Sequence, residues 1–240
     1  MRVSEVLGAM QRLPDVDLDT LLGDERPLIL APHPDDESLG CGGLIAACCQ
    51  RRRPPFVLTL TDGAASHPGS RQYPPERLRT LRAREARRAA ATLGLTPDNL
   101  AFFGYPDAAL PTGHEVSARV ARLAQDQGCS ILLAPWVHDP HCDHEAAAII
   151  ARDAAGMAHC RLLSYPVWGW LLPPAQLIPV SKVHGFKLPI PTYLQAKQNA
   201  VASHASQYTN LIDDARDGFR LPRELLAVFE RPYEVFLSHE

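Results

Sequence analysis

Three features of the sequence predict an α/β fold with a mostly parallel sheet covered by helices on both faces. Apolar runs without polar alternation recur along the N-terminal part of the chain. Segments with helix start and stop signals lie between them. Polar clusters follow the ends of successive runs, where open parallel sheets bind their ligands.

The runs PLILA (27–31), FVLTLT (56–61), LAFFG (100–104) and ILLAPW (131–136) read as buried strands, because both faces of such strands are covered. Residues 37–52 follow the first acids as a helix, and 75–93 open on Pro74-Pro75 and stop at Gly94. Residues 114–127 stop at Gly128, and 143–155 follow a histidine-rich stretch. This alternation predicts crossovers of the β-α-β kind. Beyond residue 160 the chain becomes Pro-rich and strand-like, in RLLSYPVWGW and VHGFKLPI, with a helix near 192–204 and a closing strand YEVFL. No linker, repeat or low-complexity segment interrupts it. The expectation is one domain over 1–240 with an irregular C-terminal third.

A net charge of −3 gives no basic footprint for nucleic acid. No segment approaches the ~20 apolar residues that a membrane span needs, and WGWLLPPAQLIPV is broken by prolines. The N-terminus lacks the apolar core of a signal peptide. Six cysteines (41, 48, 49, 129, 142, 160) form no C-x-x-C pair and read as reduced thiols of a cytoplasmic protein. Cys142 is expected to point inward at a helix start.

The stretch HPDDESLGCGG (33–43) follows the first strand. A dinucleotide cradle is a poor reading of its glycines: Ile45 stands where a third small residue belongs, and the acids would repel a phosphate from the helix N-terminus. The glycines instead predict close packing of the helix on the sheet. The acids and His33 suit a metal. His33 and Asp36 are three residues apart across a strand-to-helix turn, and HDPHCDHEAA after the fourth strand adds His138, His141, Asp143 and His144. Two histidines and a carboxylate with one open position form a catalytic rather than a structural zinc arrangement. Asp35, pointing away from its neighbour Asp36, is then free to act as general base, and His141 to stabilise an oxyanion or protonate a leaving amine. The residues alone leave open which of His138, His141 and His144 meets the metal.

APHPDDESLGCGG with DPHCDHEAA, LRAREARRAAATLGL before FFGYPDAAL, and KQNAVASHASQ (197–207) together resemble the LmbE/PIG-L family of zinc-dependent N-deacetylases, over most of residues 27–210. The resemblance implies a Rossmann-like three-layer fold, with His33, Asp36 and His144 as zinc ligands, Asp35 as base, His141 as the acid or oxyanion histidine, and Asp143 orienting it. It also implies substrate contacts by Arg82 and Asp107. Arg82 lies on an arginine-rich helix and reads equally as a solvated charge, Asp107 equally as a turn residue, and His204 as a packing histidine. Where some members carry a tyrosine that assists the oxyanion, this chain has Asp139, so the oxyanion is expected to rest on zinc and His141 alone.

The expected activity is removal of an acetyl group from an N-acetylglucosamine-type sugar or conjugate, by attack of a zinc-bound water with Asp35 as base. Iron(II) would suit the same ligands. The alternatives are a zinc amidase acting on a non-sugar amide and a non-catalytic sugar- or metal-binding domain. Loop 62–75 is expected to cover the substrate, Trp168 to Trp170 to pack in the core or stack on a sugar, and the protein to form a homo-oligomer or remain alone.

Overall fold

The computed structural model describes residues 1–238. Seven strands, β1 Pro27–Ala31, β2 Phe56–Thr61, β3 Leu100–Tyr105, β4 Ile131–Pro135, β5 Arg161–Tyr165, β6 Gly185–Pro189 and β7 Tyr233–Ser238, form one sheet in the order β3-β2-β1-β4-β5-β7-β6. The pairs among β1 to β5 are parallel, whereas β7 runs antiparallel to both β5 and β6. The helices are α1 Val3–Gln11, α2 Leu18–Leu22, α3 Asp36–Gln50, α4 Pro75–Thr92, α5 His114–Asp126, α6 Cys142–Ala158, α7 Leu194–Ser203, α8 Ala205–Tyr208 and α9 Arg223–Phe229.

The first four strands and the helices after each fall where the apolar runs and their punctuation place them. Proline suits the first turn of α4, and Gly94, at φ +86°, adopts the left-handed conformation that closes it. Side chains alternate across β1: Leu28 and Leu30 join the core with α5 and α6, while Ile29 joins the core with α3 and α7. Both faces are therefore covered. A third cluster seats α1 against Trp136, Leu172, Ile178 and Val235. The short helices α1, α2, α8 and α9 escape the sequence reading. No helix among the described residues is long and apolar enough to cross a membrane.

Strand order reverses beside β1, since β2 and β3 lie to one side of it and β4 and β5 to the other. At such a switch point the connections leave in opposite directions and open a crevice beyond the carboxyl ends of the strands. β1 delivers His33 there and β4 delivers residues 138–144.

The glycines of α3 serve packing. A Cβ on Gly40 would lie 2.2 Å from the Tyr165 ring, and one on Gly43 would lie 2.5 Å from Ile190. Gly40→Ala should therefore cost about 1–3 kcal/mol by overpacking, read as a lower denaturant midpoint. Gly156→Ala, with open space around its Cβ, should be neutral or stabilising by up to ~1 kcal/mol.

Candidate active site

The chain leaves β1 through Pro32 and enters α3 at Asp36, and the turn between them is strained. Asp35, the residue before the helix, sits at φ +146°, which a non-glycine residue rarely adopts. Its amide donates to Glu37 Oε2 at 3.1 Å, and Glu37 Oε1 accepts from the Ser38 hydroxyl at 2.8 Å and lies 3.3 Å from His204 Nε2. All four side chains are buried. Glu37 and His204 thus brace the turn from beneath. Asp35 makes no side-chain capping bond to α3, which leaves its carboxylate for the crevice.

That carboxylate meets Arg82 Nη2 at 3.2 Å. Arg82 is only 3% exposed, so the reading as a solvated charge fails. Its guanidinium also donates to the carbonyls of Gly63 (2.9 Å) and Pro34 (2.8 Å). It lines the cavity, but its observed bonds hold Asp35 rather than leave it free for a substrate. Burial pushes the Asp35 carboxyl up, Arg82 pulls it back and Asp36 pushes it up again, to about 6.

Asp36 is the centre of the cluster. Its Oδ2 accepts from the His33 amide at 2.9 Å, and lies 3.2 Å from His33 Nδ1 and 3.2 Å from His144 Nε2. His144 Nε2 is buried and off the line of a hydrogen bond, so it has no hydrogen-bond partner. Its other nitrogen, Nδ1, is fixed by Asp139 Oδ2 at 3.0 Å. His33 Nε2 faces Asp143 Oδ2 at 3.0 Å and Asp107 Oδ1 at 3.2 Å. Burial lowers the His144 imidazole, but Asp36 and Asp139 overcome it and raise the ring to about 9. Burial opposes charge on His33 too, and Asp107, Asp143 and Asp36 raise it well above its usual range. Burial raises the Asp36 carboxyl, and His144 and His33 outweigh it and hold it well below the usual range. The cluster calls for positive charge at its centre.

These residues fit a divalent metal. Ligands placed tetrahedrally at ~2.0–2.1 Å from zinc stand about 3.3 Å apart, close to the two 3.2 Å separations around Asp36 Oδ2. The donor set is mixed nitrogen and oxygen, one of its nitrogens is buried without a hydrogen-bond partner, and a carboxylate orients that imidazole from behind, as ligand histidines require. Ligand atoms of His33, His141 and His144, one from each, lie within 4.8 Å of one another, whereas Asp36 is in none of the three-residue groups this close and joins the imidazoles through its two 3.2 Å contacts. His138 packs edge-on against the Trp136 ring, 4.9 Å between centroids, and belongs to none of these groups.

Two expectations, those for Asp143 and Cys142, are corrected, and the place of Asp139 is defined. Asp139 does not face a developing oxyanion: it is fully buried, accepts from the amides of Val167 (2.9 Å), Trp168 (3.1 Å) and Gly169 (2.8 Å), and shares Oδ2 with His144 Nδ1. Asp143 does not orient His141 with its carboxylate, which accepts from the Ala108 and Leu110 amides and meets His33. It is the Asp143 amide, donating to His141 Nδ1 at 3.2 Å, that holds the His141 ring. Burial, then the charges of His33 and His144, lower the His141 imidazole. In the neutral ring an accepting Nδ1 leaves the proton on Nε2, which makes His141 a donor. Cys142, expected inward, is exposed.

A cavity of about 290 Å³ opens on the cluster, lined by Asp35, Asp36, His33, His141 and Arg82 and by parts of three loops. Loop 62–75 contributes Ala65, Ser66 and Pro68. It is pinned by Asp214, which accepts from the Ser70 hydroxyl and the amides of Arg71 and Gln72. Asp107, in the loop after β3, accepts from the Ala65 amide at 2.9 Å; burial raises its carboxyl, but His33, Arg82 and that amide bring it to about 2. Both Trp168 and Trp170 pack against the core; Trp168 also lines the cavity, and Trp170 donates to the Pro166 carbonyl. Sequence reasoning missed the Glu37 brace, the binding of Asp139 by consecutive amides, and Gln207 in the cavity wall. None leaves a spacing signal, because their partners are backbone groups or residues remote in the chain.

Asp139→Ala should strand three amides, two of them buried, and free the His144 ring. A loss of roughly 3 kcal/mol or more in unfolding free energy is expected, with zinc affinity weakened by about 10–100-fold in an equilibrium titration.

The chain is similar to several known proteins. It is 28% identical over 137 residues to a diacetylchitobiose deacetylase of Thermococcus kodakarensis, covering 56% of this chain and 50% of that protein. It is 28% identical over 204 residues to a probable N-acetyl-alpha-D-glucosaminyl L-malate deacetylase 2 of Bacillus anthracis, covering 81% and 88% of the two chains. The crystal structure of a conserved protein from Thermus thermophilus superposes with a TM-score of 0.59 and 27% identity, over 77% of this chain and 80% of that one. The chain thus spans half the length of the Thermococcus protein and most of the Bacillus one. Residues 28–155, just over half of the chain, match the family described as PIG-L, GlcNAc-PI de-N-acetylase, and the chain belongs to that family.

Proposed function

We propose that the protein is a metal-dependent hydrolase that removes the N-acetyl group from an N-acetylglucosamine-type sugar or conjugate. The observation that carries this reading is Asp35: a buried, backbone-strained carboxylate that caps nothing, gripped by a buried arginine, beside a cluster that calls for a cation. A site that only bound a ligand or a metal would have no use for such a group. The names of the Thermococcus and Bacillus relatives, a diacetylchitobiose deacetylase and a probable N-acetyl-alpha-D-glucosaminyl L-malate deacetylase, support the same reaction.

His33, Asp36 and His144 would hold the ion. When bound, a divalent ion supplies Lewis acidity, polarising the amide carbonyl and making a water acidic enough to lose a proton near neutral pH. Asp35 accepts that proton as the water oxygen attacks the carbonyl carbon. Arg82 grips Asp35 Oδ2, so Oδ1 is the oxygen left to take it. His141 Nε2–H donates to the oxygen that gains negative charge, and burial keeps that donor effective. As the C–N bond breaks, the proton held by Asp35 passes to the sugar nitrogen, and acetic acid and the free amine leave, the acid then passing its proton to the amine in water to give acetate and ammonium. Asp143 and Asp139 touch no reacting atom in this scheme; they fix His33, His141 and His144.

Asp35→Asn keeps the shape of the side chain, and Asn tolerates positive φ better than most residues. The variant should fold and bind one divalent ion as the wild type does, while kcat for an N-acetylated sugar falls by about 10²–10⁴. An Asp35→Asn protein as active as the wild type would sink the mechanism.

A further inference from the structure

The cavity wall supplied by the C-terminal third has no role in the reaction just derived. It holds Trp168, Gln207, Asp217, Phe219 and Leu221. Gln207 is completely buried. Its Nε2 donates to the hydroxyl oxygens of Ser206 (3.0 Å) and Ser66 (3.2 Å), and its Oε1 is buried without a partner. The orientation of this amide follows from its neighbours. The Ser206 hydroxyl gives its proton to Glu85 Oε2 at 2.6 Å, so toward Gln207 it can only accept, and the amide must present Nε2 there. The end left over is an acceptor, and a buried acceptor without a donor costs roughly 1–3 kcal/mol. That acceptor is open to a partner that carries N–H or O–H groups.

Its charge points the same way. Asp217 is exposed at the cavity and has no hydrogen bond or ion pair among the described residues. Among the described residues Arg82 is the one lysine or arginine lining the cavity; its Nη groups are turned to Pro34, Gly63 and Asp35, and its Nε is buried without a hydrogen-bond partner. His33 faces Asp36, Asp107 and Asp143. Among the described residues lining the C-terminal wall there is no cationic side chain to meet an anionic group, while an ammonium would meet Asp217. Trp168 and Phe219, edge to face with centroids 5.6 Å apart, add aromatic surface suited to the C–H face of a sugar and to a neighbouring cation.

We propose that this wall is a subsite for an amine-bearing sugar ring, so that the preferred substrate is a cationic aminosugar conjugate and not one carrying phosphate or carboxylate. The proposal rests on the deacetylase reading and narrows it. Gln207 Oε1 accepts from a ring hydroxyl or amine, Asp217 pairs with the ammonium, and Trp168 with Phe219 forms the apolar side.

Three disaccharides test it, each with the same N-acetylglucosamine unit joined to glucosamine, glucose or glucuronic acid, so that ammonium, hydroxyl and carboxylate occupy comparable rings. With the zinc-loaded enzyme, kcat/KM should fall in that order by about fivefold at each step, the scale of a solvent-exposed ion pair. The spread should shrink as salt is added. Asp217→Asn should narrow the ratio of the glucosamine to the glucose compound, and Asp217→Lys should favour the glucuronic acid compound; Asp217 is exposed, so neither change threatens folding. Equal rates, a preference for the carboxylate, or ratios unmoved by both variants would overturn the proposal. If the wild type hydrolyses none of the three, the deacetylase reading falls. Calorimetric titration of the same compounds then decides the subsite, tighter binding of the glucosamine compound supporting it and equal or reversed affinities ruling it out.

Discussion

One oxygen atom organises the carboxyl edge of the sheet. Asp36 Oδ2 lies within 3.2 Å of an imidazole nitrogen from β1 and of another from α6, and so joins the two strands that flank the reversal of strand order. Nothing local would bring these groups together: His33 and His144 are remote in sequence and meet because β1 and β4 are neighbours. Behind each imidazole stands another carboxylate, Asp143 and Asp107 at His33 and Asp139 at His144. Most of these acids are satisfied in turn by main-chain amides, Ala65, Ala108 and Leu110 on one side and residues 167–169 on the other. The loops after β2, β3 and β5 are therefore tied to the same centre.

Such an arrangement is expensive to fold. Buried carboxylates in this number repel one another and lose hydration, and ion pairing rarely does more than offset that cost. Asp35 adds backbone strain, held in place by Glu37 and His204 beneath it and Arg82 beside it. Strain and concentrated charge in a crevice, rather than in the interior of the core, are what a functional site looks like when stability is given up for pre-organisation. Elsewhere the α3 glycines let that helix lie close against Tyr165 and Ile190, which supports the turn from its helical side.

Much of this was legible in the sequence, for identifiable reasons. Apolar runs such as PLILA and ILLAP announce doubly covered strands, and HPDD with HCDH announce a cluster because polar groups so dense at strand ends have few other uses. What stayed hidden depends on partners distant in sequence. Arg82 looks like one more charge on an arginine-rich helix until burial brings it to Asp35. Asp139 looks like an unwelcome acid beside His141, yet the turn after β5 offers it three amides and points it at His144. Gln207, in the short helix α8, carries no pattern at all; its role in the wall shows only through an acceptor that no protein group meets.

The central claim is that Asp36 and the two imidazoles form a site for one divalent ion. Elemental analysis of the purified protein after zinc is supplied and excess removed, beside His144→Ala treated identically, tests it most directly. One ion per wild-type chain, lost in the variant, is the predicted result. A wild-type chain that takes up no metal, or a variant that holds it as well, would contradict the claim and leave the acids at the end of β1 without a metal to hold.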